Sequence, residues 1–268
     1  MPNTLQLIAL LFLFISIASC SPDNEDANSA NDIGDNTSVT EIERHSCGES
    51  DVHNSSMNYG TMTDQDGNEY KTTIINGREW MAENLKTTTF RNGEEIPNTS
   101  SSTAWSELTS ASWCYYNNSV EYECPYGKLY NWYTANDTRG VCPLGWHVPT
   151  DSEWNSLVTF LDPNSNGAEN ADVAGAKLKS TGIDHWLDPN SGATNIVGFS
   201  ALPSGDRQPD GDFEDITSLG AWWTKTQIDG DPVQYYINYL FHDCIRSEYN
   251  DAIFNGKKAG ASIRCIRD

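Results

Sequence analysis

The clearest apolar periodicity in the chain lies over residues 154–161. Apolar side chains recur there at i, i+3, i+4 and i+7, namely Trp154, Leu157, Val158 and Leu161. This spacing places them on one face of a helix, where they can pack against a core. Thr150 and Glu153 have the spacing of a capping box, and Asp162-Pro163 stops a helix. The pattern therefore predicts an amphipathic helix that begins at Asp151.

Runs of β-branched and aromatic residues predict the strands. Residues 70–75 and 78–81 flank Asn76-Gly77, a pair that favours a tight hairpin because both turn positions need positive φ. Further strands are predicted over residues 199–203, 221–226, 234–240 and 261–267, with a turn over 204–211. Short helices are predicted over residues 103–105, 129–135 and 173–180. A chain in which most helices come first and antiparallel strands follow is typical of an α+β domain.

Composition separates a tether from this domain. Residues 21–66 contain 11 acidic residues against one basic residue, Arg44, and every Trp lies at or beyond Trp80. Such a segment buries too little apolar surface to fold by itself. We therefore expect a leader over residues 1–19, a largely disordered acidic tether over 20–60, and a globular domain over 61–268.

The N-terminus predicts export and lipid anchoring. Residues 5–17 form an apolar run that is too short to span a bilayer and has the length of a signal-peptide core. The sequence that ends at Cys20 resembles a bacterial lipobox, so Cys20 is the expected lipidation site, although residues 1–6 lack Lys and Arg. The acidic residues that follow resemble the export signal of Bacteroidota surface lipoproteins. We expect an outer-membrane lipoprotein exposed at the surface, with a periplasmic orientation as the alternative.

Charge excludes several classes of partner. The formal net charge is -22 at pH 7. Nucleic acids and anionic lipid surfaces both require clustered Lys or Arg. The membrane is therefore expected as a partner only through the lipid on Cys20, and nucleic acid is not expected as a partner.

Cysteine usage predicts a disulfide framework. Six cysteines remain besides Cys20, and six cysteines in an exported chain indicate three disulfides, for which the sequence permits 15 pairings. Cys114 and Cys124 can close the loop between two aromatic runs, which makes them the favoured short ring. No C-x-x-C spacing occurs, so neither a redox motif nor a zinc ribbon is indicated.

Several motifs together resemble one known family. They are DGNEYK at 66–71, WMAENLK at 80–86, YGKLYNW at 126–132, CPLGWHVPTDSEW at 142–154, GFSALP at 198–203, Trp222-Trp223 and SIRCIRD at 262–268. In this order they resemble the Fibrobacter succinogenes major paralogous domain over residues 61–268. That family is similar to the C-type lectin and formylglycine-generating-enzyme fold. The resemblance implies an α+β domain with long loops in an exported or lipid-anchored protein, and leaves the activity open.

The same resemblance implies a disulfide pairing. In this fold the last strand returns beside the first part of the core, which would place Cys142 next to Cys265. Cys114 with Cys124, and Cys47 with Cys244, would then remain. Each bond would stabilise the fold by about 2–4 kcal/mol.

An enzyme related to formylglycine generation is one hypothesis for the chain. That chemistry uses two closely spaced free cysteines that bind copper, whereas Cys244 and Cys265 are 21 residues apart and are better explained as disulfide partners. His147 follows Cys142 by five residues, but we interpret it as a packing residue beside Trp146. No G-x-S-x-G, H-E-x-x-H or phosphate-binding glycine loop is present in the sequence.

A calcium-dependent lectin is a second hypothesis. Residues 162–167 match the first half of an EF-hand loop, but Val173 stands where a bidentate Glu is needed. Asp206, Asp210 and Asp212 are weak metal candidates in a second acidic loop, together with Glu214 and Asp215. The lectin-like letters Gln208-Pro209-Asp210 in that loop are interpreted as coincidence. No resident cofactor is expected, and calcium is the alternative.

The favoured hypothesis is a non-catalytic surface protein that serves adhesion or binds a glycan or protein. Aromatic rings can stack on such ligands. The candidates are Tyr115, Tyr116, Trp186, Tyr235, Tyr236 and Tyr239. Alternation along residues 234–240 requires some of them to belong to the core.

Overall fold

A computed structural model describes residues 52–164, 173–227, 235–243, 248–250 and 256–268. The strands are β1 Gly60–Thr63, β2 Glu69–Ile75, β3 Arg78–Met81, β4 Trp113–Cys114, β5 Leu129–Asn131, β6 Trp146–His147, β7 Ser204–Arg207, β8 Phe213–Ile216, β9 Leu219–Gln227, β10 Tyr235–Phe241, β11 Glu248–Asn250, β12 Gly260–Ala261 and β13 Ile266–Arg267. The helices are α1 Ser102–Ser106, α2 Glu123–Tyr126, α3 Trp132–Ala135, α4 Asp151–Leu161 and α5 Ala174–Leu178. The predicted α+β class is confirmed.

Helix α4 begins and ends where its sequence pattern predicts. The Thr150 hydroxyl accepts a hydrogen bond from the Glu153 amide at 3.2 Å, and the Glu153 carboxylate accepts one from the Thr150 amide at 2.9 Å. The capping box thus satisfies two amides that would otherwise lack partners. All four predicted apolar side chains are buried, so α4 packs on the core through the expected face.

The predicted hairpin is formed by β2 and β3. Asn76 and Gly77 both have positive φ, at 52° and 73°, and Ile75 pairs with Arg78 across the turn. The hairpin is not the first element of the domain, because β1 pairs with β2 on its other side. The first sheet has the order β1-β2-β3-β13-β6.

The second sheet has the order β11-β10-β9-β7-β12-β5-β4, and β8 pairs with β7. The predicted strand over 261–267 is wrong as a single strand, because β12 belongs to this sheet and β13 belongs to the first. Between them, the Ser262 amide donates to the Ala221 carbonyl at 3.0 Å. The C-terminal segment therefore crosses from one sheet to the other.

Two further local predictions are wrong. Residues 129–135 form β5 followed by α3, because the Asn131 side chain caps the helix by accepting from the Thr134 amide at 3.1 Å. Residues 199–203 form no strand, because Ser200 has φ 54° and its carbonyl accepts a hydrogen bond from Arg264 at 2.9 Å. The strand lies instead over Ser204–Arg207, where a turn was predicted.

One of the three predicted disulfides is present and one is wrong. Cys142 is bonded to Cys265, as predicted. Cys114 carries a free buried thiol, whereas Cys124 is disulfide-bonded, so the predicted Cys114–Cys124 ring does not form. Pairing of β4 with β5 places Cys114 in an apolar cluster with Trp105. Cys47 and Cys244 both lie outside the described residues.

The end of the predicted tether packs against the domain. Val52 and His53 are buried, and the Asn54 side chain donates to the Asn195 carbonyl at 3.0 Å. We call residues 52–59 the N-terminal strap. Ordered packing therefore begins before the boundary at residue 61 that composition predicts.

Candidate binding site

The family motifs form a buried polar network. Arg264 is buried and donates to the Asn84 side chain at 2.8 Å, to the Ser200 carbonyl at 2.9 Å and to the Phe199 carbonyl. The Trp222 indole donates to the same Asn84 oxygen at 2.9 Å. Burial lowers the pKa of Arg264 to about 9. These motif residues specify the interior, so the similarity they carry does not locate a ligand.

Half of the aromatic residues that the sequence offers for ligand stacking are buried. Trp186, Tyr116 and Tyr239 belong to the core. Tyr115 is only partly exposed and packs edge-to-face on Trp113. Two more have side chains outside the part of the chain that the structure describes: Tyr235 and Tyr236. The described members of the sequence-derived set therefore do not form a surface.

A row of aromatic rings begins at the buried Tyr116 and its neighbour Phe213 and reaches the surface at its other end. Centroid distances are 5.3 Å from Phe213 to Tyr116, 5.1 Å from Tyr116 to Tyr122, 6.5 Å from Tyr122 to Tyr126 and 5.8 Å from Tyr126 to His185. The last three rings of the row are partly exposed. They come from a 3₁₀ turn, from the end of α2 and from the loop after α5. The sequence alone does not reveal them, because no local pattern links positions 60 residues apart.

Exposed aliphatic side chains flank this row. Val120 is 62% exposed, Ile183 61% and Leu187 51%. The Leu187 amide donates to the Thr217 carbonyl at 2.8 Å, which holds the loop beside the turn between β8 and β9. We call the whole surface the tyrosine face: Val120, Tyr122, Tyr126, Ile183, His185 and Leu187. Large apolar side chains gathered at a surface mark interaction sites.

The rim of the tyrosine face is acidic. Glu121, Asp184 and Asp188 are exposed, and none of them forms a salt bridge with another described residue. The nearby Lys128 is buried, pairs with Glu123, and lies 4.8 Å from the Trp113 ring centroid. Its charge is therefore already used inside the protein, and the exposed charged side chains of this rim are acidic.

The carboxylates of the β7–β8 hairpin are grouped differently from the predicted weak metal candidates. Pairing of β7 with β8 sets Asp206 opposite Glu214, and one carboxylate oxygen from each of Asp206, Glu214 and Asp215 lies within 4.8 Å of the others. Asp210 and Asp212 lie in the loop at the hairpin tip and are not part of this group. Three carboxylates suit a hard cation chemically, but calcium takes 6–8 oxygen ligands.

The carboxylates of this group are poorly compensated. Burial and the Asp215 charge raise the pKa of Asp206 to about 7, against a hydrogen bond from Gln208 that favours ionisation. Burial and the same neighbour raise the pKa of Glu214, and burial raises the pKa of Asp215. The carboxylates of the hairpin therefore repel one another when ionised. A bound cation, a proton or additional hydrogen-bond donors would reduce this repulsion.

The Gln208-Pro209-Asp210 loop lines a polar groove of about 430 Å³ with Ser106, Glu214 and Lys258. Arg207 holds this loop in place. Its guanidinium lies between the rings of Trp105 and Phe213, at 4.4 and 4.6 Å, and donates to the Gly211 carbonyl at 2.9 Å. The groove is therefore preformed.

One of the two cysteines that the enzyme hypothesis requires as free thiols is not free. Cys265 is bonded to Cys142 and so cannot supply one of two free copper-binding thiols. Burial raises the pKa of the free Cys114 thiol to about 12. A thiol with that pKa carries almost no thiolate near neutral pH and is a poor nucleophile.

His147 lies between two carboxylates, which corrects its interpretation as a packing residue. Its Nε2 lies 3.0 Å from the Glu153 carboxylate and its Nδ1 lies 2.6 Å from Asp268. It therefore links the start of α4 to the last residue of the chain. A Cys-His nucleophile is excluded at this position, because Cys142 is in a disulfide.

A serine and a histidine that sequence analysis missed lie together under the N-terminal strap. His53 Nδ1 is 3.1 Å from Ser200 Oγ, and His53 Nε2 is 3.9 Å from the Glu83 carboxylate. The side-chain amide of Asn195 donates to the same Ser200 Oγ at 2.9 Å. Ser200 has no exposed surface, so a substrate cannot reach it in this conformation. The group attaches the strap to the 198–203 loop.

Comparison with known proteins gives one match. A family model described as the Fibrobacter succinogenes major domain matches residues 74–267. No curated protein and no solved structure matches the chain, so the similarity to the C-type lectin and formylglycine-generating-enzyme fold stays a prediction. Within the described ranges, no helix is long and apolar enough to cross a membrane.

Proposed function

We propose, from the premise that the chain belongs to the Fibrobacter succinogenes major domain family, that it is a lipid-anchored, non-catalytic envelope protein that binds a glycan or another protein. The observation that supports this proposal is the tyrosine face. It exposes aromatic and aliphatic side chains together, whereas Ser200, Cys114 and Arg264 are buried. The chemistry of the accessible surface therefore suits binding.

Binding without turnover is tested on the full chain with purified envelope polysaccharides and defined envelope proteins as ligands. Changing Tyr122 and Tyr126 to Ser should weaken binding by about tenfold or more, because stacked rings contribute strongly to interfaces. Tyr133→Ser is the matched control, since Tyr133 is a partly exposed tyrosine outside this surface. Each ligand should be recovered with unchanged mass. A product of altered mass that forms only when the protein is present would contradict the non-catalytic assignment.

Anchoring is proposed through Cys20, after removal of residues 1–19, with the acidic segment that follows as the tether. The disulfide between Cys142 and Cys265 supports an oxidising compartment outside the cytoplasm. Labelled palmitate should enter the wild-type chain and Cys114→Ala, but not Cys20→Ala. Protease added to intact cells should cleave the domain if it faces outward from the outer membrane. Label in Cys20→Ala would contradict the anchoring site.

A calcium-dependent lectin is the second candidate, because Asp206, Glu214 and Asp215 converge beside the groove that contains Gln208. Calcium at 100 times its dissociation constant would stabilise the fold by about 2.7 kcal/mol. The melting temperature should then rise with calcium in the wild type and in Glu95→Gln, but not in Asp206→Asn. An unchanged wild-type melting temperature at millimolar calcium would remove this candidate.

A further inference from the structure

We infer that the tyrosine face binds a protein partner that presents basic side chains beside apolar ones. The inference rests on the proposed binding function and selects one of its two ligand classes. It combines three observations from the described surface: exposed aliphatic side chains, unpaired acidic charge and the relative orientation of the rings.

The aliphatic side chains require an apolar complement. Ile183 and Leu187 lie on either side of His185 in one loop and are 61% and 51% exposed. Each would bury most of its side chain only against a partner, and removing that apolar area from water would favour binding. A purely polar ligand would leave this surface in water.

The charge of the rim selects the sign of the partner. Glu121, Asp184 and Asp188 are exposed and make no salt bridge with another described residue. A second copy of the chain would bring another net charge of -22 and would be repelled. Arg or Lys side chains from the partner would pair with the rim and steer the encounter.

The orientation of the rings favours side chains over sugar rings. The plane of His185 is perpendicular to that of Tyr126, at 89°, and Tyr122 is tilted from Tyr126 by 41°. Sugars stack on a flat ring face, whereas neighbouring rings at these angles share no common flat face. The Tyr126 hydroxyl also lies 3.4 Å from His185 Nδ1, so its hydrogen-bonding capacity is already partly used.

Defined probes test the inference on the full chain carrying Cys20→Ser, which prevents lipidation. Fluorescence anisotropy would measure binding of a labelled peptide that alternates Arg and Leu, one that alternates Arg and Gly, one that alternates Glu and Leu, and maltohexaose by competition. The Arg-Leu peptide should bind about tenfold or more tightly than the Arg-Gly and Glu-Leu peptides, because both apolar contact and charge contribute. Its dissociation constant should rise with salt.

Variants locate the binding to this face. Ile183→Ser with Leu187→Ser should weaken Arg-Leu binding by about tenfold or more, and Asp184→Asn with Asp188→Asn by about threefold or more. Ile74→Ser with Phe160→Ser is the matched control, because these side chains are 71% and 50% exposed elsewhere; it should change binding less than about twofold. Circular dichroism would verify that all variants fold.

Three results would overturn the inference. Equal loss in the control pair would mean that the acidic chain binds cationic peptides non-specifically. Absence of Arg-Leu binding would exclude the basic-apolar partner. Competition by maltohexaose that is lost with Ile183→Ser and Leu187→Ser would establish a glycan site, which leaves the proposed binding function intact while this inference fails.

Discussion

Two buried arginines hold loops of this domain in place. Arg207 and Arg264 are both buried, and each donates to backbone carbonyls of a loop while its guanidinium contacts an aromatic ring. A planar guanidinium can do both at once, which a lysine ammonium cannot. These two residues hold the hairpin loop and the 198–203 loop in conformations that their own sequences do not specify.

At the same scale, Asp206→Asn should change the pH dependence of stability. The folded pKa of Asp206 is about 7 against an ordinary value of 3.8, so the folded state binds this proton more tightly than the unfolded state. Stability from this group is therefore greatest at low pH and falls as pH rises from about 4 to 7, by on the order of 4 kcal/mol. Asparagine stays neutral, so the variant should lack this slope and be the more stable chain at pH 8.

Urea unfolding at pH 5 and pH 8 with a chelator present would measure this effect. Asp210→Asn, at the exposed hairpin tip, should keep the wild-type slope. A slope that is unchanged in Asp206→Asn would mean that this carboxyl titrates normally.

At the scale of elements, local signals and long-range contacts have separate roles. Helix α4 carries its own start signal, and the β2–β3 hairpin carries its own turn. The N-terminal strap has no such signal, and it is ordered by contacts with residues more than 140 positions away. Its structure therefore depends on the folded domain.

Thr150→Ala should destabilise the domain through the start of α4. The substitution removes the hydroxyl that accepts the Glu153 amide hydrogen, and loss of such a cap costs about 1 kcal/mol. Ser152→Ala is the control, because Ser152 is exposed in the same turn and does not cap it. Equal urea midpoints for Thr150→Ala and Ser152→Ala would show that the cap contributes nothing measurable.

Removing the strap should also destabilise the domain. A chain that begins at Gly60 lacks buried Val52 and His53 and should lose about 2–4 kcal/mol relative to one that begins at Val52, from apolar burial and hydrogen bonds together. Both chains begin after Cys47 and differ only by residues 52–59, so their urea midpoints isolate the strap. Coinciding midpoints would mean that residues 52–59 only lie against a domain that is stable without them.

At the scale of the whole molecule, the C-terminal segment joins the two sheets. Strand β12 pairs in one sheet and β13 in the other, and Cys265 between them is bonded to Cys142. One covalent bond thus links the approach to α4 with the end of the chain. The sequence separation of 123 residues makes this a long loop closure, which restricts the unfolded chain strongly.

Changing Cys142 and Cys265 together to Ala should therefore lower the free energy of unfolding by about 2–5 kcal/mol. Cys114→Ala should cost less, because it closes no loop. Peptide mapping of the wild-type chain without reductant should recover the Cys142–Cys265 link and a free thiol at Cys114 after unfolding. A bond between Cys114 and Cys124 in that map would contradict the structure.

The sequence by itself determined the elements whose signals are local. The capping box and apolar stripe specify α4, Asn76-Gly77 specifies the hairpin turn, and the ordered motifs specify the family. These features depend on neighbouring residues, whose preferences act within one turn of helix or one pair of strands. The Cys142–Cys265 bond was available only through the family resemblance, because cysteine spacing permits 15 pairings.

Only the tertiary structure decided what non-local contacts create. Burial among Trp105 and its neighbours keeps Cys114 free, and Arg264 bends residues 199–203 away from a strand. Strand pairing groups Asp206 with Glu214 instead of Asp210 and Asp212. The tyrosine face joins residues from two loops about 60 positions apart, and such a surface has no periodicity to detect. Side chains meet there because long-range contacts, such as the one between Tyr126 and His185, place their segments together, which is a property of the folded chain.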